Sequence, residues 1–320
     1  MDVAADLEAM AATLESSGDY RVLRRLRPRA GFAPIPAGTK TWRGLMLDTE
    51  TTGLAVEDEI IELAMISFSY SRDGTIHAIQ DGFERLREPS RPIPPEVTEL
   101  TGIDAATVAG QAIDPEEVAA FVAGADLIVA HNADFDRKVV ERAYPVFKEK
   151  PWACSLTQVP WKAEGFGSAK LGQLLAAYGF FHDAHRAGDD CRATIELLAR
   201  PLPKSGTTAM SNLLAAARAP GARIWATNSP YELKDTLKAR GYRWADGANG
   251  GRRAWVIDVA EDTFEAEMSF LRSEIYRRED LALPVARLTA YNRFSDRIEA
   301  ESQFWPPLER MGAGGAYREE

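Results

Sequence analysis

Three acidic clusters follow one another along this 320-residue chain: Asp48-Thr49-Glu50-Thr51-Thr52-Gly53, His131-Asn132-Ala133-Asp134-Phe135-Asp136 and His185-Arg186-Ala187-Gly188-Asp189-Asp190. Carboxylates converging from three separate elements, with imidazoles beside them, are what phosphodiester cleavage by two bound divalent cations requires. In the first cluster, strand alternation puts Asp48 and Glu50 on one face, where both carboxylates reach a single hard cation. Thr51, Thr52 and Gly53 then supply a tight turn whose backbone can come close to a nucleotide. In the second, a helix that packs through Phe135 and Val139 makes Asp134 the N-terminal cap or first-turn acid and leaves Asp136 as the ligand candidate. His131 and Asn132 suit structural hydrogen bonding at the turn before it. In the third, His185 precedes a helix opened by Asp189 and Asp190, one of which caps it. An imidazole five residues before a carboxylate can sit over the attacking water, and its near-neutral pKa suits a base. His77 and His182 lack comparable partners and read as structural or surface residues. Taken singly, each acidic pair also reads as a solvated strand end or a capped helix start.

These residues need a scaffold of alternating strands and helices. Gly44–Asp48, Ile60–Ile66, the segment after the turn Asp73-Gly74, and Leu127–Ala130 read as strands. Helical patterns cover 115–123, 134–144, 170–178 and 189–199, so the class is α/β with a mixed sheet. This main domain spans 43–203. Before it, 1–42 comprise an amphipathic helix (Leu7, Met10, Leu14), the basic run Arg21–Arg27 and a Pro/Gly linker. After it, 204–220 read as a linker with one possible short helix. A small α+β domain then fills 221–300, with strands at 223–227, 242–245, 254–259 and 287–294 and helices at 230–240 and 262–276. That β-α-β-β-α-β order is the ferredoxin-like one. Residues 301–320 read as a flexible tail.

The formal net charge of −10 is unevenly placed. Residues 43–201 hold 15 Lys and Arg against 26 Asp and Glu, whereas 221–260 hold 7 against 4. Acidity where cation ligands are expected fits bound metal, and the basic excess downstream is a candidate backbone-contacting face. Interleaved aromatics and cations there (Trp225, Tyr231, Lys234, Lys238, Trp244, Trp255) suit base stacking, although two of the three tryptophans read equally well as core. Two cysteines give neither a disulfide framework nor a metal-ligand spacing. With no signal segment and no membrane span, a reduced cytoplasmic setting is expected.

The pattern Asp48-x-Glu50-Thr51-Thr52-Gly53, His131-Asn132-x-x-Phe135-Asp136 and His185-x-x-x-x-Asp190 resembles the three motifs of DnaQ-like 3′–5′ exonucleases of the DEDDh type, over about residues 43–201. Ile93-Pro94-Pro95, Leu100-Thr101-Gly102-Ile103 and Lys170-Leu171 also match. The resemblance implies an RNase H-like fold and stepwise release of nucleoside monophosphates from a 3′ end. It implies that Asp48, Glu50 and Asp190 hold a first Mg²⁺ or Mn²⁺, that Asp48 bridges to a second, that Asp136 assists, and that His185 deprotonates the attacking water. Thr51, Leu54, Thr101, Phe135 and His131 fall where family members contact terminal nucleotides. DNA is favoured over RNA as the bound strand, and a DNA polymerase or repair complex is the expected partner. RNA 3′-end trimming, digestion of short oligonucleotides, and a non-catalytic nucleic-acid or polymerase-binding protein on the same fold are the alternatives.

Overall fold

The computed structural model describes residues 3–247 and 252–300. The expected tail at 301–320 lies outside them. Two compact units divide the chain, Met1–Ala217 and Arg218–Glu320.

The first unit runs α1 (Val3–Ser16), β1 (Arg24–Arg25), β2 (Thr41–Thr51), β3 (Ile60–Ser71), β4 (Ile76–Leu86), α2 (Pro95–Thr101), α3 (Ala105–Val108), α4 (Pro115–Ala123), β5 (Leu127–Ala130), α5 (Ala133–Ala143), β6 (Trp152–Cys154), α6 (Leu171–Ala177), β7 (Phe180–Phe181), α7 (Ala187–Leu198) and α8 (Ala209–Arg218). Its five-stranded sheet has the order β4-β3-β2-β5-β6. The β4-β3-β2 half is antiparallel, and β5 and β6 join in parallel, giving the mixed sheet of an RNase H-like fold. All twelve residues of β3 are buried, so this strand is covered on both faces. That explains its near-continuous apolar run. On one side Met46, Ile66, Phe68 and Val129 pack against Leu174, Cys191, Ile195 and Leu198 of α6 and α7. On the other, Ile61 packs with Ile103 and Val108. Gly44 lies beneath the Phe68 ring, where an added Cβ would collide with the ring carbons.

The segment read as a linker with one short helix, 204–220, carries that helix as α8. Met210, Leu213 and Leu214 are buried in the same core as the sheet. The hairpin turn admits this helix at Gly74, which has φ +86° and would place a Cβ 2.5 Å from the Ser211 backbone. The amphipathic pattern at the N-terminus fails to mark a packed face. Leu7, Met10 and Leu14 of α1 are exposed, while Ala11 is buried. Within the basic run Arg24 and Arg25 form β1, which pairs in parallel with β7. Arg24 meets Glu8 and Glu15, Arg25 meets Asp183, and Arg29 meets the buried Glu196. These arginines neutralise acids of their own unit.

The second unit runs β8 (Gly221–Ala226), α9 (Lys234–Ala239), β9 (Arg243–Asp246), β10 (Arg253–Ala260), α10 (Phe264–Phe270) and β11 (Val285–Leu288). Single 3₁₀ turns precede both helices, and α10 continues as a π turn over Leu271–Tyr276. The sheet order is β11-β8-β10-β9, with every neighbouring pair antiparallel. This is the split β-α-β arrangement expected from the element order. The last strand ends at Leu288, well short of residue 294, because Thr289–Phe294 turn back on themselves through Asn292 and Arg293. Ile224, Leu237, Phe264, Met268 and Leu271 form this unit's own core. No helix among the described residues is long and apolar enough to cross a membrane.

Candidate active site

The C-terminal end of β2 delivers the first two acids. Asp48 and Glu50 alternate onto one face, and the β2–β3 register shifts between Glu50 and Thr51. An irregularity of that kind re-aims side chains where a strand ends. Asp136 enters from the first turn of α5, where it is buried, and Asp190 from the first turn of α7.

Each acid is held. Oδ1 of Asp136 accepts from the Thr49 backbone N–H at 3.1 Å and from the Thr49 hydroxyl at 2.9 Å. Asp134 points the other way and pairs with Lys138 at 3.1 Å. The N-cap position of α5 is taken by Asn132 at φ 99°, without a side-chain cap. Oδ2 of Asp190 accepts from the His185 backbone N–H at 3.0 Å, and Oδ1 from Nε2 of His182 at 2.5 Å. Neither Asp189 nor Asp190 caps α7, which begins two residues earlier at Ala187. Glu62 does so from β3, accepting the Ala187 N–H at 3.0 Å while Arg186 pairs with the same carboxylate at 3.0 Å.

Glu62 is hidden in the sequence by the apolar run around it. A lone acid inside Ile60-Ile61-Glu62-Leu63-Ala64 is the available signal. It stands directly across from Glu50 in the β2–β3 register. His182, read as structural or surface, instead touches a candidate ligand, and no spacing in the sequence marks it. His77 is buried and bonds the Ala33 carbonyl and the Ser71 hydroxyl, in keeping with a structural place.

Burial, then the carboxylates of Asp136, Asp190, Glu50 and Glu62, hold Asp48 well above the ordinary carboxylate range. Burial and the acids Asp190, Glu62 and Asp136 push Glu50 up to about 8, with Arg186 pulling the other way. Burial pushes Asp136 up to about 7 against the opposing Thr49 hydrogen bonds. Acids packed this closely cannot all ionise without a counter-charge. Ligand atoms of Glu50, His185 and Asp190 lie within 4.8 Å of one another. The carboxylate oxygens are a donor set that fits a hard divalent cation, and the imidazole stands beside them.

The five expected nucleotide contacts are placed unevenly. Leu54 projects into solvent from the turn after β2, 87% exposed, and Phe135 is half-buried on α5. Thr51 is buried and bonds the Gly53 carbonyl. The Thr101 hydroxyl donates to the Val97 carbonyl and accepts the Ile103 N–H. His131 spends both ring nitrogens on Ser155 and the Ala169 carbonyl, which leaves it a positioning place at the turn.

Residues 45–198 match the RNase_T exonuclease family model. The chain is 34% identical over 161 residues to the DNA polymerase III subunit epsilon of Treponema pallidum (strain Nichols), covering 47% of this chain and 72% of that protein. It is 33% identical over 167 residues to the PolC-type DNA polymerase III of Bacillus subtilis (strain 168), covering 49% of this chain and 11% of that protein. Among solved structures, exonuclease X in complex with 5′ overhanging duplex DNA aligns at TM-score 0.41 and 28% identity, over 54% of this chain and 99% of that one. The family match falls on the sheet that carries the acids, and with the epsilon relative it shows that the chain belongs to the DnaQ-like 3′–5′ exonuclease family.

Proposed function

We propose that this protein hydrolyses DNA stepwise from a 3′ end, releasing nucleoside monophosphates, with two Mg²⁺ or Mn²⁺ ions held by Asp48, Glu50, Asp136 and Asp190. The observation that carries this reading is the convergence of these four acids, with carboxylate oxygens of Glu50 and Asp190 within 4.8 Å of one another and of a ring nitrogen of His185. When bound, the cations supply positive charge that stabilises the entering and leaving oxygens of the displacement. The protein's own residues do the rest. His185 is exposed at the mouth of the site, on a residue with φ 66°, and takes the proton of the attacking water. Thr49 fixes Asp136, and the Glu62 anchor fixes the start of α7 on which Asp190 stands. Leu54 and Phe135 offer apolar surface to the terminal bases.

Similarity to a DNA polymerase III subunit favours DNA as substrate and a polymerase or repair complex as partner. The second unit is proposed to bind the strand. Tyr231 and Trp244 are exposed at 75% and 52%, and the Lys234 ammonium lies 4.0 Å from the Tyr231 ring centroid. Stacking surfaces beside cations suit single strands. Trp225 is core, and Trp255 is partly covered and meets Trp244 edge to face.

The test is cleavage of matched 5′-labelled single-stranded DNA and RNA in Mg²⁺, Mn²⁺ or EDTA, beside Asp48→Ala. A cation-dependent ladder shortening from the 3′ end of DNA, absent in the variant, is expected. Preferential shortening of RNA would overturn the substrate, and no cleavage of either strand would overturn the activity.

A further inference from the structure

Asp190 is gripped on both oxygens, and one grip comes from a residue that the three motifs do not contain. The His185 backbone N–H meets Oδ2 at 3.0 Å and His182 Nε2 meets Oδ1 at 2.5 Å. An ionised carboxylate only accepts, so a cation-binding Asp190 takes this hydrogen bond from an Nε2–H. The His182 and Asp190 side chains are 8% and 15% exposed, so the contact is shielded from competing water. His182 follows β7 directly, and β7 is paired to β1, outside the matched family region. The Arg24 N–H donates to the Gly179 carbonyl at 2.9 Å and the Leu26 N–H to the Phe181 carbonyl at 2.7 Å. Arg25 lies over the Phe181 ring and pairs with Asp183, the neighbour of His182. Leu26 is buried against Leu175 and Ala193, which ties the same segment to α6 and α7.

From this juxtaposition we propose that His182 is a positioning residue for the reaction, orienting the Asp190 carboxylate for the cation, and that the N-terminal arginine strand is the brace that sets His182. The proposal rests on the assignment of Asp190 as a ligand. Outer hydrogen-bond partners of a metal ligand typically govern about 10–100-fold in affinity or activity. His182→Ala removes the donor, His182→Gln retains an N–H donor of similar reach, and Arg25→Ala loosens the brace.

The experiment is Mn²⁺ titration calorimetry on full-length protein without substrate, with kcat and KM on a short oligonucleotide and melting temperature in EDTA measured alongside. His182→Ala is expected to weaken Mn²⁺ binding about 10-fold or more and lower kcat with little change in KM. Its melting temperature in EDTA stays near that of the parent, His182→Gln recovers most of the Mn²⁺ affinity, and Arg25→Ala shifts affinity in the same direction by less. Asp190→Asn separates the two readings. If Asp190→Asn abolishes Mn²⁺ binding while His182→Ala leaves it intact, the positioning role is overturned and the site stands. If Asp190→Asn also binds Mn²⁺ normally, the ligand assignment falls and this inference with it. Failure of His182→Gln to recover affinity overturns orientation through a donated hydrogen bond, and parental Mn²⁺ affinity in Arg25→Ala overturns the brace.

Discussion

At the level of single residues, the site is a set of acids raised above the ordinary carboxylate range by burial and by one another, and the proposed cations would relieve that repulsion. Asp48→Asn removes one member, so in EDTA its melting temperature should exceed that of the parent, at about 2–4 °C per kcal/mol relieved in a domain of this size. Turnover should be lost while the circular dichroism spectrum is retained, and cleavage by the pure variant would refute the assigned site. The pH dependence follows from the same repulsion. Glu50 and Asp136, raised to about 8 and about 7 from ordinary values of 4.5 and 3.8, keep protons in the folded state that the unfolded chain has already released. Cation-free protein therefore loses stability as pH rises from about 5 to 8, and saturating Mg²⁺ flattens or reverses that slope. Melting curves across this window in EDTA and in Mg²⁺ decide the matter; an EDTA curve that climbs with pH would contradict the clustering. The motif acids are legible in the sequence because their spacing is fixed within short segments. Glu62 and His182 are not, because one depends on the β2–β3 register and the other on a loop set by β1.

At the level of elements, the entry to α7 decides whether Asp190 and His185 stand correctly, and a neighbouring strand controls that entry. Glu62 caps the helix through the Ala187 N–H and pairs with Arg186. Because Arg186 is half-exposed, its share of the pair is screened, and the buried carboxylate bond to the helix start dominates. Glu62→Ala should cost about 1–3 kcal/mol in urea unfolding and lower kcat, through loss of a charged-group hydrogen bond that leaves a buried donor. Glu62→Gln keeps an acceptor for the Ala187 N–H and should recover most of the stability. Equal losses in the two variants would assign the effect to the ion pair instead. The same contact explains why the sequence pattern puts this helix start two residues late: Asp189 and Asp190 have the chemistry of caps, whereas the real acceptor lies more than a hundred residues away. Around α8, small residues suggest a linker with one short helix, and Met210, Leu213 and Leu214 recur at helical spacing and are buried. That periodicity is legible but is masked by the surrounding Ser, Thr and Gly.

At the level of the whole molecule, the second unit's own core suits the proposed division of labour, chemistry in the first unit and strand capture in the second. The element order of the second unit is readable because each strand is short and bounded by turn residues. Which aromatics reach solvent is not, since that depends on strand alternation in an edge strand. Trp225 faces the core, whereas Trp244 sits on β9, which among the described residues is an edge strand beside β10. If Tyr231 and Trp244 stack bases, replacing both with Ala should raise KM for a long single strand, at about 1–3 kcal/mol for each base no longer stacked. The values of kcat and KM on a substrate of a few nucleotides should stay at the parent level, because on the proposed reading such a substrate engages only first-unit residues: the acids, His185, Leu54 and Phe135. Raising the salt concentration should weaken long-strand binding in parent and variant alike, since Lys234 and Lys238 act through charge rather than stacking. Steady-state kinetics on oligonucleotides of graded length, run at two salt concentrations, make the comparison. A parental KM at every length in the double variant would remove the second unit from strand binding, while equal losses at all lengths would show that these aromatics support the fold of the enzyme instead.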